Sequence, residues 1–141
     1  MIERALVLFA SIAALDAHAA PAVNCKDPMS NAEMKMCAEQ DWKKADAELN
    51  VAFGKALASA RETYRSTRRM PGQQNMPDSE AMLRDAQRAW VTFRDANCKY
   101  QYQIYWGGSH AALAYLLCMA DMTKARVKEL RQLPGGEEFE N

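Results

Sequence analysis

The chain has 141 residues, enough for one domain and too few for two. Its 18 basic and 18 acidic side chains cancel. That balance argues against a dedicated nucleic-acid binder, which shows a strong basic excess.

Residues 1–19 read as a signal peptide. Glu3-Arg4 makes a short, weakly positive start, Ala5 to Leu15 is apolar, and Ala17-His18-Ala19 supplies the small residues that a signal peptidase reads. The apolar run is too short to span a bilayer. No membrane span is expected after cleavage, and removing Glu3, Arg4 and Asp16 leaves one net positive charge. The remainder divides into a domain over 20–133 and an acidic tail over 134–141, expected to be mobile. Cys25, Cys37, Cys98 and Cys118 form an even set behind the signal segment, which reads as two disulfides in a periplasmic or secreted protein.

Three helical segments follow a short arm. The first opens at Ser30, with Glu33 three residues on as a capping box, and carries the stripe Met34, Cys37, Ala38, Ala45, Leu49, Phe53, Ala56, Leu57 and Ala60. The basic cluster Arg61, Arg65, Arg68 and Arg69 fits a solvated helix end, where cations favour the negative pole of the dipole. Thr67 to Pro77, with Pro71-Gly72, reads as a loop.

Asp78 can cap the second helix, whose expected inward stripe is Met82, Ala86, Trp90, Phe93, Asn97, Tyr100 and Ile104. Gly107-Gly108 breaks the chain. Ser109 then reads as the cap of a third helix carrying Leu113, Leu116, Ala120, Val127 and Leu130. Short loops between long helices predict an all-α fold, an antiparallel three-helix bundle.

Four cysteines allow three pairings. The antiparallel register favours one. Cys98 and Cys118 each lie about ten residues from Gly108, so both sit about 15 Å down their helices. Cys25 then pairs with Cys37. The same register brings Asp46 and Asn50 to the level of Arg94 and Asp95, and Arg126 near Gln87 and Trp90. These seven residues read as a polar network that locks helix register, because partly buried charges persist only when paired.

An ordered set of motifs carries a resemblance. It comprises Cys37-Ala38, Ala45-Asp46-x-x-Leu49-Asn50, Gln87-x-x-Trp90-x-x-x-Arg94-Asp95-x-x-Cys98, Gly107-Gly108-Ser109, and Cys118-x-x-x-Met122-Thr123-x-x-Arg126-x-x-x-Leu130. Together these resemble the N-terminal domain of the LprI-type lysozyme inhibitors, over about Cys25 to Leu133. The resemblance implies a small helical envelope protein and, for some members, a lysozyme or another cell-wall hydrolase as protein partner.

The residues suggest binding more than catalysis, and no cofactor or metal is expected. Beyond the signal segment His110 is the single histidine, so a Ser-His-Asp triad has only one centre available. Tyr100, Tyr102, Tyr105 and Trp106 crowd the approach to the glycine pair, and some of them are expected in the core. The tip Tyr105, Trp106, Gly107, Gly108, Ser109 and His110 is the candidate binding surface, since aromatic anchors dominate hot spots. Two function classes stay open: a protein that binds and occludes a muramidase, and an envelope carrier of a small ligand or Cu(I). The carrier reading draws on Met29, Met34, Met36, Met119 and Met122, because thioethers are soft ligands. Core filling is the plainer explanation of those methionines.

Overall fold

In the computed structural model, residues 23–134 are described and form three helices. The expected signal segment and all of the acidic tail but Pro134 lie outside the described residues. Helix α1 spans Asn31–Arg68, α2 spans Ser79–Ile104 and α3 spans Ala111–Arg131. No strand occurs among the described residues. The expected all-α bundle with two disulfides is what the chain forms.

Local chemistry sets most helix ends. The Ser30 hydroxyl accepts the Glu33 N–H at 3.2 Å, which caps α1. The Glu33 carboxylate reaches back one residue further than the capping box requires and accepts the Met29 N–H at 2.6 Å. Asp78 caps α2 by accepting the N–H groups of Glu80 and Ala81 at 2.9 and 3.1 Å. Ser109 does not cap α3. That helix begins one residue later than expected, with His110 at the cap position. His110 has a helical backbone there (φ −88°, ψ −12°), whereas a side-chain cap needs extended geometry.

The core lies mainly between α1 and α3, the pair in the most extensive contact. On α1 the buried residues Ala45, Leu49, Ala52 and Ala56 step by four, three and four. On α3 Ala120, Thr123, Val127 and Leu130 step by three, four and three. Both patterns average close to 3.5 residues, the repeat of a coiled-coil seam. Small alanines on one side admit larger groups from the other. Leu49, Ala52, Ala56, Val127 and Leu130 form the central cluster, with Phe53, Leu83 and Trp90 packed against it.

Two hydrogen bonds fix the ends of this pair. Asn31 Nδ2 donates to the Ser109 carbonyl at 3.1 Å, and Ser59 Oγ donates to the Pro134 carbonyl at 2.8 Å. The last turns of α1 therefore overshoot α3, and among the described residues Arg61 there meets Glu80 at the start of α2.

Helix α2 turns a different face inward from the one expected. Met82, Ala86, Phe93, Tyr100 and Ile104 are exposed, while Gln87, Arg94 and Cys98 are buried. Trp90 and Asn97 lie half-buried at the boundary. The apolar stripe is present, but the side of α2 that meets the bundle is the one carrying Gln87, Arg94 and Cys98. None of the four aromatics near the turn is in the core: Tyr100, Tyr102, Tyr105 and Trp106 are all exposed.

Candidate functional site

Three sets of contacts hold α2 to its neighbours, and they position the turn that follows it. At the level of Cys98 the chain is cross-linked by Cys98–Cys118, and the arm is tied to α1 by Cys25–Cys37. These are the pairings that the turn symmetry predicts. The Met122 thioether lies 3.7 and 3.8 Å from the two sulfurs of the first bridge, and Asn97 Nδ2 donates to it at 3.2 Å.

About two helical turns back along α2, Trp90 meets two guanidinium groups. Arg94 sits 5.2 Å from its ring centre and Arg126 sits 5.8 Å away. Arg94 is itself buried. It donates to Thr123 Oγ1 at 3.2 Å, contacts Asp95 at 2.9 Å, and pairs with Asp46 across α1 and α2 at 3.6 Å. The Thr123 hydroxyl in turn donates a hydrogen bond to the Met119 carbonyl at 2.6 Å. Arg126 donates to the buried Gln87 at 3.0 Å and reaches Glu129 at 2.9 Å.

Six of the seven expected network residues thus meet around one indole. Asn50 does not: it is exposed on α1 and has no described contact with Arg94. Thr123 was missed. Its signals were its place in the Met122-Thr123 motif and a polar residue at an inward step of the α3 stripe.

The third set lies at the far end. Arg61 forks onto Glu80 with two bonds of 2.7 Å, and Arg84 reaches the same carboxylate at 2.7 Å. The hydrogen bonds from Arg61 and then Arg84 lower the Glu80 carboxyl to about 2. Arg61 is therefore not part of a merely solvated helix end, as its basic neighbours suggested, but a tie between α1 and α2.

The candidate tip follows α2 at the disulfide-bonded end. Gly107 has φ +79°, a backbone conformation that suits glycine, and the Gly108 N–H closes the turn onto the Tyr105 carbonyl at 3.0 Å. The Ser109 carbonyl is held by Asn31, and the Ser109 hydroxyl lies 3.4 Å from His110 Nδ1. Tyr102 and Trp106 stack edge to face with centroids 5.8 Å apart. Trp106 keeps 69% of its surface exposed and Tyr105 49%. The indole and the phenol are thus solvent-accessible beside a hydrogen-bonded turn.

A concavity of about 520 Å³ lies among the arm, α1 and α3, lined by Cys25, Pro28, Met34, Cys37, Leu113 and Leu117 among others. Met34 borders it half-buried, whereas Met36 is exposed on α1. Cys37 is in a disulfide and offers no thiolate. Among the described residues no three His, Cys, Asp or Glu side chains cluster as a metal site would need.

These features define a small helical scaffold, stapled by disulfides and locked by arginine–tryptophan contacts. The chain belongs to the lysozyme inhibitor LprI family, whose pattern it matches over residues 24–130. It is 31% identical over 115 residues to an uncharacterized protein of Rhizobium meliloti (strain 1021), with 80% of each chain covered. It is 29% identical over 113 residues to the uncharacterized protein YecT of Escherichia coli (strain K12), covering 75% of this chain and 65% of that one. No solved structure matches it. The two disulfides fit an oxidising compartment outside the cytoplasm. No described helix is long and apolar enough to cross a membrane.

Proposed function

We propose that the protein is exported, with residues 1–19 removed as a signal peptide, and that in the periplasm or outside the cell it binds and occludes a muramidase-type enzyme. Family membership supports the class of partner. The observation that carries the choice of surface is the exposed Trp106–Tyr105 pair on a turn fixed by Asn31 and bounded by both disulfides.

A muramidase cleft holds two carboxylates, one of which must donate a proton, and apolar walls on which sugar rings stack. Trp106 and Tyr105 suit those walls. Ser109 and His110 offer hydrogen-bonding groups to the carboxylates. The reading requires no turnover of substrate.

The test is turbidimetric lysis of cell walls by several lysozyme types with the purified protein added. Stoichiometric slowing is expected. Trp106→Ala should weaken it about thirtyfold, the size of a hot-spot loss, and His110→Ala by less. The helical signal and melting temperature should be unchanged in both. A wild-type protein that never slows lysis at large molar excess would remove the proposal. Inhibition that survives both substitutions would move the site elsewhere on the molecule.

A further inference from the structure

The outward face of α2 carries a seam. Met82, Ala86, Ala89, Phe93, Ala96 and Tyr100 follow one another by steps of four and three residues, and Ile104 continues the line. All are exposed, and Met82, Phe93 and Tyr100 each keep 60% or more of their surface open. An alternation of four and three is the 3.5-residue repeat with which one helix packs along another. Within the bundle α2 already meets its neighbours through Gln87, Arg94 and Cys98, roughly a quarter-turn or more around its axis. The seam is therefore a second, unused packing face. It runs for about 33 Å.

We propose that this face pairs with the same face of a second copy of the chain, antiparallel, around a two-fold axis. Two independent features of α2 select that occupant and its register. The first is steric. Setting Phe93 against Ala89 of the second copy also sets Tyr100 against Met82 and Ala86 against Ala96. Each large ring then meets a smaller or more pliable side chain, and no ring faces a ring across the axis.

The second feature is charge. The polar flank of the seam carries Asp85, Thr92 and Lys99 at seven-residue spacing. In an antiparallel pair this flank meets itself. The steric register places Asp85 of each copy level with Lys99 of the other, with Thr92 beside the axis. A parallel pairing in register would instead bring Asp85 against the apolar edge of its partner and leave Lys99 without an anion. The existing contact of Asp85 with Arg88 is largely exposed and gives little hindrance to this exchange.

The area is adequate. Four exposed rings, at roughly 150–250 Å² for a fully buried aromatic, contribute on the order of 500 Å². Met82, Ile104 and three alanines from each copy raise this toward the ~1,000 Å² that a specific interface needs. Tyr102 stands on the side of α2 opposite Phe93, nine residues and a half-turn away, so the seam leaves it uncovered. The pairing separates the C-terminal ends of the two α2 helices by about 40 Å, which keeps both tips free.

The experiment is sedimentation equilibrium of the purified, disulfide-intact protein over a wide concentration range, with melting temperature as the folding control. A monomer–dimer equilibrium is expected, with a dissociation constant on the order of 10 µM. Ala89→Arg should abolish it, and Phe93→Ala should weaken it at least tenfold, neither lowering the melting temperature of the monomer. Asp85→Lys and Lys99→Asp should each weaken it about tenfold by setting like charges together at two places. Combined in one chain they should restore it. A protein that stays monomeric at about 100 µM overturns the proposal, as does a dimer indifferent to Ala89→Arg. A dimer that both charge reversals weaken but their combination fails to rescue overturns the antiparallel register.

Discussion

Removing the Arg94 guanidinium tests whether the inward face of α2 is held by its charges. The side chain is only 8% exposed, yet its partners Asp95 and Asp46 are 41% and 46% exposed. One-sided loss of a fully buried pair costs about 3–5 kcal/mol, because an ion is stranded away from water. Loss of an exposed pair costs under about 1 kcal/mol. Here the buried partner is deleted and both carboxylates left behind reach solvent, so the stranded-ion penalty is small. What remains is a charge-assisted hydrogen bond, worth about 1.5–3 kcal/mol, and the stacking on Trp90, worth about 0.5–1 kcal/mol. Thr123 keeps its bond to the Met119 carbonyl and adds little. Arg94→Ala should therefore destabilise by about 2–4 kcal/mol, lowering the melting temperature by about 8–16 °C at roughly 4 °C per kcal/mol. Arg94→Lys should recover less than half, since it keeps the charge and loses the planar fork. The assay is chemical and thermal unfolding followed by circular dichroism. Lys43→Ala, which breaks an exposed pair with Glu39, is the control. An Arg94→Ala loss no larger than that control would refute the reasoning.

Two further outcomes follow from the same contacts. Replacing Cys98 and Cys118 together by Ser opens a bridge of sequence separation 20 between α2 and α3 and should cost about 3 kcal/mol. The matching change at Cys25 and Cys37 frees only the arm, so its effect on the melting temperature should be clearly smaller; equal losses would contradict that picture. Glu80 supplies a pH dependence. Its folded-state carboxyl is lowered to about 2 from an ordinary 4.5, so its contribution is fully present above about pH 4.5 and disappears as pH falls toward 2. Wild type and Glu80→Gln should differ in melting temperature at pH 6 and converge near pH 2, and parallel curves across that range would rule out the assignment.

The helices, their loops and both cross-links were legible because each rests on local chemistry or on counting from a turn. Ser30 and Asp78 announce helix starts, and Gly108 gives the axis about which Cys98 and Cys118 are symmetric. The facing of α2 was not legible. Periodicity locates an apolar stripe, but it does not say which other surface covers it. In α2 the apolar stripe and the inward face are different, because Gln87 and Arg94 are buried by partners on α1 and α3 that are distant in sequence. The same limit hid Thr123, which looks like an interruption of the α3 stripe until Arg94 is placed beside it. Ser109 misled for a smaller reason: Asn31 holds its carbonyl, and the helix starts only at Ala111.

The division of labour on α2 has a physical logic. The α1–α3 seam is apolar and close-packed, so it supplies the core that area alone can stabilise. Helix α2 brings little apolar surface to that core beyond Leu83 and Trp90. It is placed instead by directional contacts at three heights: the fork from Arg61 and Arg84 onto Glu80, the two guanidinium groups on Trp90, and the Cys98–Cys118 bridge. Directional contacts fix register more sharply than apolar ones, because a slip of one residue breaks all of them together. A helix held in this way has no need of its Phe93 face for folding. That face is free to remain apolar without entering the core, and the turn after Ile104 inherits its position from contacts that a rotation of α2 would break.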